Sequence, residues 1–321
     1  MNYKPILIVH GEPNSIFLEI FFKSLRYKKF KNPLVLICSQ KILKFQMKKL
    51  KFKMDIKIIK PSLLNKIKLS NKIINIIDVR YNENLTFQKI SNKSNQYIKD
   101  CFETSFKILK SGITNKLING PISKTSFLNK KFLGITEYLA KETEAIQNAM
   151  LIYNKKLSVC PITTHLPLKF VAKNINKKKI IEKITLIDGF YKKSLGFKPK
   201  IAVLGLNPHC ETVDKFNEDE KILKPSIKYL SSKKIDVMGP YSADTAFLKK
   251  NRKNFDVIVG MYHDQVLTPI KTIFEYDAIN ITLGLPFMRI SPDHGPNQKM
   301  LGQNKSNPLS LIRAIEFLEK N

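Results

Sequence analysis

Among the 321 residues no two glycines stand two positions apart, so the chain contains no G-x-G. A Rossmann unit places G-x-G-x-x-G between its first strand and helix, because those glycines make the turn and let the backbone approach a pyrophosphate. That route to a dinucleotide is excluded, and so is a P-loop, since no glycine precedes a lysine. Four cysteines, Cys38, Cys101, Cys160 and Cys210, include no C-x-x-C pair, which argues against a zinc knuckle or redox dithiol and leaves reduced, mostly buried thiols as the expectation. No apolar run approaches the roughly 18 residues of a membrane span. The opening MNYKPILIVHGEP carries only the short apolar run from Ile6 to Val9, too short for a signal-peptide core, so a cytoplasmic protein without membrane contact is expected. No internal repeat or low-complexity linker is present.

Arginine is also scarce. Of 56 basic residues only Arg26, Arg80, Arg252, Arg289 and Arg313 are arginines; against 26 acidic residues the net charge is +30. Such a charge raises the case of a basic nucleic-acid-binding or scaffold protein. Nucleic-acid sites concentrate arginine for bidentate contacts. Here lysine is spread along the whole chain with many Asn and Ile, the mark of a compositional bias, so no specific nucleic-acid partner is expected. Lysine-rich pieces such as Lys173 to Lys179 read as solvated helix faces or loops.

What the chain does have is enough apolar content, 43%, for a large core, which at this length means two domains or one large α/β unit. Short apolar runs closed by turn residues recur at Ile6 to Val9, Leu34 to Cys38, Ile73 to Val79, Leu117 to Ile118, Leu157 to Ile162, Ile201 to Leu206 and Phe255 to Val259. Helical patterns lie between them. Buried strands alternating with helices predict an α/β fold with a largely parallel sheet.

Three histidines end such runs. His165 closes VCPITTH, His209 closes IAVLGLNPH and His263 closes FDVIVGMYH. Each should emerge at the carboxyl edge of a buried strand, where open α/β sheets bind ligands. Three imidazoles at one edge suit a borderline divalent metal with a position left open for substrate. Thr163 and Thr164, Asn207 and Pro208, and Asp264 and Gln265 stand beside them as polar or turn groups needing partners. Farther on, Lys271, Asn280 and Arg289 are polar donors in or beside apolar segments, suited to holding a phosphate or carboxylate. Asp293, His294 and Gly295, with Gly302 and Asn307, make a loop before a final amphipathic helix from Pro308 to Glu319.

The segments LINGPISK, GITE, TTHLPL, LGLNPH, GPYSADTAF, MYHDQ, NITLGLPFMR and DHG, across about residues 110 to 315, follow one another as in 4-hydroxythreonine-4-phosphate dehydrogenases. The chain resembles that family of pyridoxal phosphate (vitamin B6) biosynthesis, and more broadly the isopropylmalate and isocitrate dehydrogenases, whose nicotinamide site also lacks G-x-G-x-x-G. The resemblance implies a two-domain α/β/α, isopropylmalate dehydrogenase-like fold with the active site in the interdomain cleft. Residues 1–130 with 270–321 would form the cofactor-side domain, and 131–269 the metal and dimer side. It implies a homodimer sharing a divalent metal (Zn, Mg or Co) on His165, His209 and His263. Substrate contacts would come from Ile135, Thr136, Lys271, Asn280 and Arg289, catalytic groups from Lys271, Asp264 and Asp244, and NAD or NADP contacts from His294, Gly295 and Asn307. The implied reaction is oxidation of 4-phosphooxy-L-threonine at C3. Two motifs depart from the family. Its GDPAGIG-like turn reads GEPNSIF here, and its GHTE reads Gly134-Ile135-Thr136-Glu137, which removes an imidazole. A relative acting on a phosphorylated sugar acid, such as phospho-erythronate or phospho-threonate, is the alternative.

Overall fold

Apolar runs without room for a helix become strands, and in the computed structural model, which describes residues 3–83, 87–128 and 131–321, twelve are formed. In chain order they are β1 (Ile6–Val9), β2 (Leu34–Cys38), β3 (Ile56–Ile58), β4 (Ile74–Asp78), β5 (Lys116–Asn119), β6 (Ala149–Tyr153), β7 (Ser158–Thr163), β8 (Ile201–Leu204), β9 (Val237–Tyr241), β10 (Val257–Tyr262), β11 (Ile279–Leu283) and β12 (Met288–Pro292). The chain divides into two units, Met1–Phe132 with Pro286–Asn321, and Leu133–Leu285.

The first unit orders its strands β3-β4-β2-β1-β5-β12, every pairing parallel. The side chains of β1 are fully buried and those of β2 nearly so, which is why both read as continuous apolar runs. Each such side chain stabilises the fold by about 1.5–3 kcal/mol relative to exposure. The crossover helix Asn95–Lys110 buries Tyr97, Ile98, Cys101, Phe102, Ser105, Phe106, Ile108 and Leu109, all but Ile108 at the three-and-four spacing of one helical face.

In the second unit the order is β11-β6-β7-β10-β8-β9. Strands β7, β10, β8 and β9 run parallel, and β6 is antiparallel to both of its neighbours. Helix Lys177–Phe190 begins where the Asn176 side chain accepts the Lys179 N–H. The mixed α/β architecture with largely parallel pairing is the one the alternating pattern predicts.

The expected boundary at 269/270 falls inside helix His263–Phe274, and the division comes instead at 285/286. The helix stays with the second unit because Val266, Leu267 and Ile270 pack with Met150, Ile152, Val159, Leu204 and Ile258. Strand β11 stays because it pairs with β6 from Ile279↔Tyr153 to Leu283↔Ala149. The runs at Ile73 to Val79 and Ile201 to Leu206 give strands shorter at their ends, while Phe255 to Val259 gives a strand shifted toward Tyr262. Five strands went unread: β6 is a short apolar run, AMLIY, that periodicity alone does not separate from a buried helix segment, β3 is short and largely exposed, β9 contains Gly239 and Pro240, and β11 and β12 interrupt their apolar residues with Asn280, Thr282, Arg289 and Ser291. All four cysteines are free, with Cys38, Cys101 and Cys160 buried. Among the described residues no helix is long and apolar enough to cross a membrane.

Candidate functional site

The sheet order of the second unit sets its chemistry. Strand β10 lies between β7 and β8, and β9 follows β8, so the carboxyl ends of four neighbouring parallel strands deliver His165, His263, His209 and Asp244 in turn. The His165 and His263 rings stand 5.4 Å apart between centroids, inclined by 42°. Two imidazoles on one tetrahedral ion, with nitrogens at roughly 2.0–2.1 Å from it, have centroids about 5 Å apart, so this pair fits a metal. Nδ1 of His263 meets Asp264 Oδ1 at 2.6 Å, the carboxylate support that ligating histidines commonly have. Asp264 is otherwise 80% exposed.

His209 differs. It is exposed in the short turn Pro208–Cys210, and both His209 (φ 54°) and Cys210 (φ 63°) adopt the left-handed conformation that non-glycine residues rarely take. Fully buried Asp219 holds that loop: Oδ1 accepts Leu206 N–H at 2.8 Å, and Oδ2 accepts the N–H of Asn207 at 3.1 Å and its side-chain amide at 3.0 Å. Gln265 ties the same loop to β10 by accepting Met261 N–H at 2.7 Å and donating to the Gly205 carbonyl at 2.8 Å. Even so, no group of three or more metal-ligating side chains forms among the described residues of one chain. The expected three-histidine set is thus a close pair plus one exposed histidine on a strained loop.

The GITE segment forms the start of helix Ile135–Glu142, with Gly134 at its N-cap. Its first-turn N–H groups have no intrahelical acceptor, so Ile135 still offers a main-chain donor where its side chain offers none. Thr136 is 2% exposed, its hydroxyl 3.5 Å from that of Thr282 on β11. Asn280 lies two residues earlier on the same face, opposite Ile152, and its Oδ1 is sealed from solvent without a hydrogen-bond partner. Lys271 is half-buried in the last turn of helix His263–Phe274, about 12 Å along the axis from His263, so the two are not adjacent.

In the first unit Arg289 is 0% exposed, and its Nε donates to Asn119 Oδ1 at 2.7 Å. The expected anion holder is a buried guanidinium placed at the ends of β12 and β5. His294 is half-buried with Nδ1 against the Gly295 carbonyl at 2.8 Å, and Asn307 accepts Leu309 N–H at 2.9 Å. The loop carrying them is fastened to helix Phe17–Tyr27, where buried Glu19 accepts Ser306 N–H at 2.6 Å and Lys23 donates to the carbonyls of Asn304 and Ser306.

The divergent GEPNSIF turn is closed by side chains. Ser15 Oγ donates to the Glu12 carbonyl and accepts Phe17 N–H at 3.3 Å, and Glu12 Oε1 accepts Asn14 N–H at 3.0 Å. Glycine is still required at Gly11, where φ is +76° and a Cβ would stand 2.5 Å from the Pro121 carbonyl. Beside this turn lies a buried pair that sequence reasoning missed. His10 Nδ1 is 3.0 Å from the Tyr97 hydroxyl, which also accepts Ser39 N–H at 3.0 Å. Burial pulls the His10 pKa down to about 3 and pushes the Glu12 carboxyl up from its ordinary value. The only signal available was that His10 ends an apolar run, just as the three strand-end histidines do.

Two α/β units, one with imidazoles and a carboxylate following the carboxyl ends of adjacent parallel strands, define an α/β protein of the class in which those strand ends commonly carry enzyme sites. The profile of the pyridoxal phosphate biosynthetic protein PdxA family matches residues 29–318, and the chain belongs to that family. It is 39% identical over 318 residues to a 4-hydroxythreonine-4-phosphate dehydrogenase of Sulfurihydrogenibium sp. (strain YO3AOP1), covering 97% of this chain and 96% of that protein. A D-threonate 4-phosphate dehydrogenase of Salmonella typhimurium is 32% identical over 324 residues, 99% of this chain and 98% of that one. The crystal structure of 4-hydroxythreonine-4-phosphate dehydrogenase from Klebsiella pneumoniae superposes with a TM-score of 0.83 at 28% identity, over 98% of each chain. An isocitrate dehydrogenase from Methylococcus capsulatus, with a TM-score of 0.52 at 8% identity over 97% of this chain and 83% of that one, shares the fold alone. Relatives across the whole length are thus oxidoreductases by name.

Proposed function

We propose that the chain is a cytoplasmic, homodimeric, NAD(P)-dependent dehydrogenase that oxidises the C3 hydroxyl of 4-phosphooxy-L-threonine. The product, 2-amino-3-oxo-4-phosphooxybutanoate, is a β-keto acid that loses carbon dioxide to give 3-amino-2-oxopropyl phosphate. The observation that carries this reading is the delivery of His165, His263, His209 and Asp244 to four neighbouring strand ends in a chain whose full-length relative bears that activity in its name.

His165 and His263 would hold the metal, and exposed His209, which joins no ligand group among the described residues of its own chain, would complete the set in a second copy. When bound there, a zinc, magnesium or cobalt ion supplies Lewis-acid polarisation of the substrate hydroxyl. The protein's own groups do the rest. Asp264 orients His263, and Asp244, exposed at the end of β9, is free to orient the substrate amine or relay a proton. The first turn of helix Ile135–Glu142 with Thr136 faces the phosphate, and the orphaned Asn280 Oδ1, a buried polar atom that needs a partner, meets the substrate. Lys271 neutralises its anionic groups. In the first unit His294, Gly295 and Asn307 serve the nicotinamide cofactor.

The test is reduction of NAD and of NADP by the purified protein against a panel of phosphorylated hydroxy acids, with and without chelator. Turnover of 4-phosphooxy-L-threonine that chelator abolishes is the expected result. Turnover only of 4-phospho-D-threonate or phospho-erythronate would replace the substrate. That second reading is favoured by the D-threonate 4-phosphate dehydrogenase among the full-length relatives.

A further inference from the structure

Glu137 stands in the first turn of helix Ile135–Glu142, and its two carboxylate oxygens have different surroundings. Oε1 accepts the Thr164 hydroxyl at 2.9 Å, which ties the helix to the residue immediately before His165. Oε2 is sealed from solvent and has no hydrogen-bond partner. A Cβ built on Gly134 would lie 2.9 Å from this Oε2, 2.5 Å from His165 Nδ1 and 2.6 Å from His165 Cε1. The carboxylate and the imidazole therefore border the same side-chain-sized space, and only glycine leaves it open. A buried carboxylate oxygen without a donor carries a desolvation penalty that one hydrogen bond relieves. The Nδ1 edge of His165 borders the same space and can donate when it carries the ring proton.

We propose that Glu137 is a positioning residue for His165: Oε2 accepts a hydrogen bond from Nδ1–H, fixing the neutral tautomer in which Nε2, on the far edge of the ring, carries the free lone pair. Gly134, having no Cβ, leaves the space between the two groups open for that contact. Thr136 lies in the same turn, so the segment that meets substrate also sets the direction of this imidazole. The proposal rests on the metal reading only for what Nε2 binds; the tautomer belongs to the metal-free chain.

Long-range ¹H–¹⁵N spectra of the metal-free protein, labelled at histidine and recorded near pH 8, read the tautomer directly. The His165 signal is identified by its loss in His165→Ala. The wild type should show Nδ1–H, and Glu137→Gln, whose amide can donate to the ring, should move His165 toward Nε2–H. In parallel, zinc titration should show affinity lower by about 10-to-100-fold in Glu137→Gln. A wild-type His165 protonated at Nε2, or a tautomer unchanged by Glu137→Gln, overturns the proposal. Should Glu137→Gln fail to fold, the wild-type tautomer decides alone. Zinc binding undiminished in His165→Ala would instead sink the metal reading, with the tautomer still deciding this inference.

Discussion

His165 and His263 face one another at 5.4 Å between ring centroids although they follow different strands, β7 and β10, which pair in parallel with Thr163 opposite Tyr262. Their proximity is a product of sheet register. Removal of either imidazole should therefore abolish stoichiometric binding of a divalent ion, whereas His209→Ala should lower it through the dimer, with mixed dimers of His165→Ala and His209→Ala recovering part of the sites. Metal analysis of the purified variants checks this, and undiminished metal in all three single variants would refute it.

Ile135 offers a phosphate only its main-chain N–H. A hydrogen bond to a charged group contributes about 1.5–3 kcal/mol, roughly 10-to-150-fold in affinity or rate. Ile135→His should accordingly lower the Michaelis constant for 4-phosphooxy-L-threonine within that range. If neither wild type nor variant oxidises that compound while another phosphorylated acid is turned over, the substrate assignment is wrong.

His10 should govern part of the acid sensitivity. With its pKa near 3 in the fold and about 6.5 when unfolded, the unfolded chain binds the extra proton between those values. Stability is then present above about pH 6.5 and is lost as pH falls toward 3, by up to about 1.4 kcal/mol per pH unit. Raised Glu12 acts with the opposite sign, favouring the fold as pH falls through its elevated pKa. His10→Gln keeps a polar group beside Tyr97 but cannot titrate, so its denaturant midpoint between pH 7.5 and 5 should fall less steeply than that of the wild type. Parallel slopes would remove His10 from this role.

Two glycines of the first unit should respond in opposite ways. Gly11→Ala meets both a left-handed backbone and the Pro121 carbonyl at 2.5 Å, and should destabilise by more than about 1 kcal/mol. At Gly295 a Cβ has nothing within 4 Å, so alanine there should leave thermal stability unchanged and raise the Michaelis constant for the cofactor. Unaltered cofactor kinetics in Gly295→Ala would take the DHG loop out of the cofactor site.

Some of this was plain in the chain itself. Strands β1 and β2 were legible to the residue because strands buried on both faces are unbroken apolar runs, and the strand-end positions of His165, His209 and His263 follow from where such runs stop. Strands β11 and β12 were not legible, since Asn280, Thr282, Arg289 and Ser291 break the pattern that marks a strand, and the partners that accommodate two of them, Asn119 for Arg289 and Thr136 for Thr282, are distant in sequence.

The sequence by itself determined the α/β class, the absence of a Rossmann glycine loop and the set of residues able to carry chemistry, because each depends on local composition and spacing. Only the tertiary structure decided which of them meet. Periodicity carries no information about which strand lies beside which, so the placement of β10 between β7 and β8, and with it the His165–His263 pair, is a result of packing. The same holds for His10, which ends an apolar run just as the other three do. Tyr97, brought in from a helix far along the chain, covers it, and burial then holds its imidazole neutral.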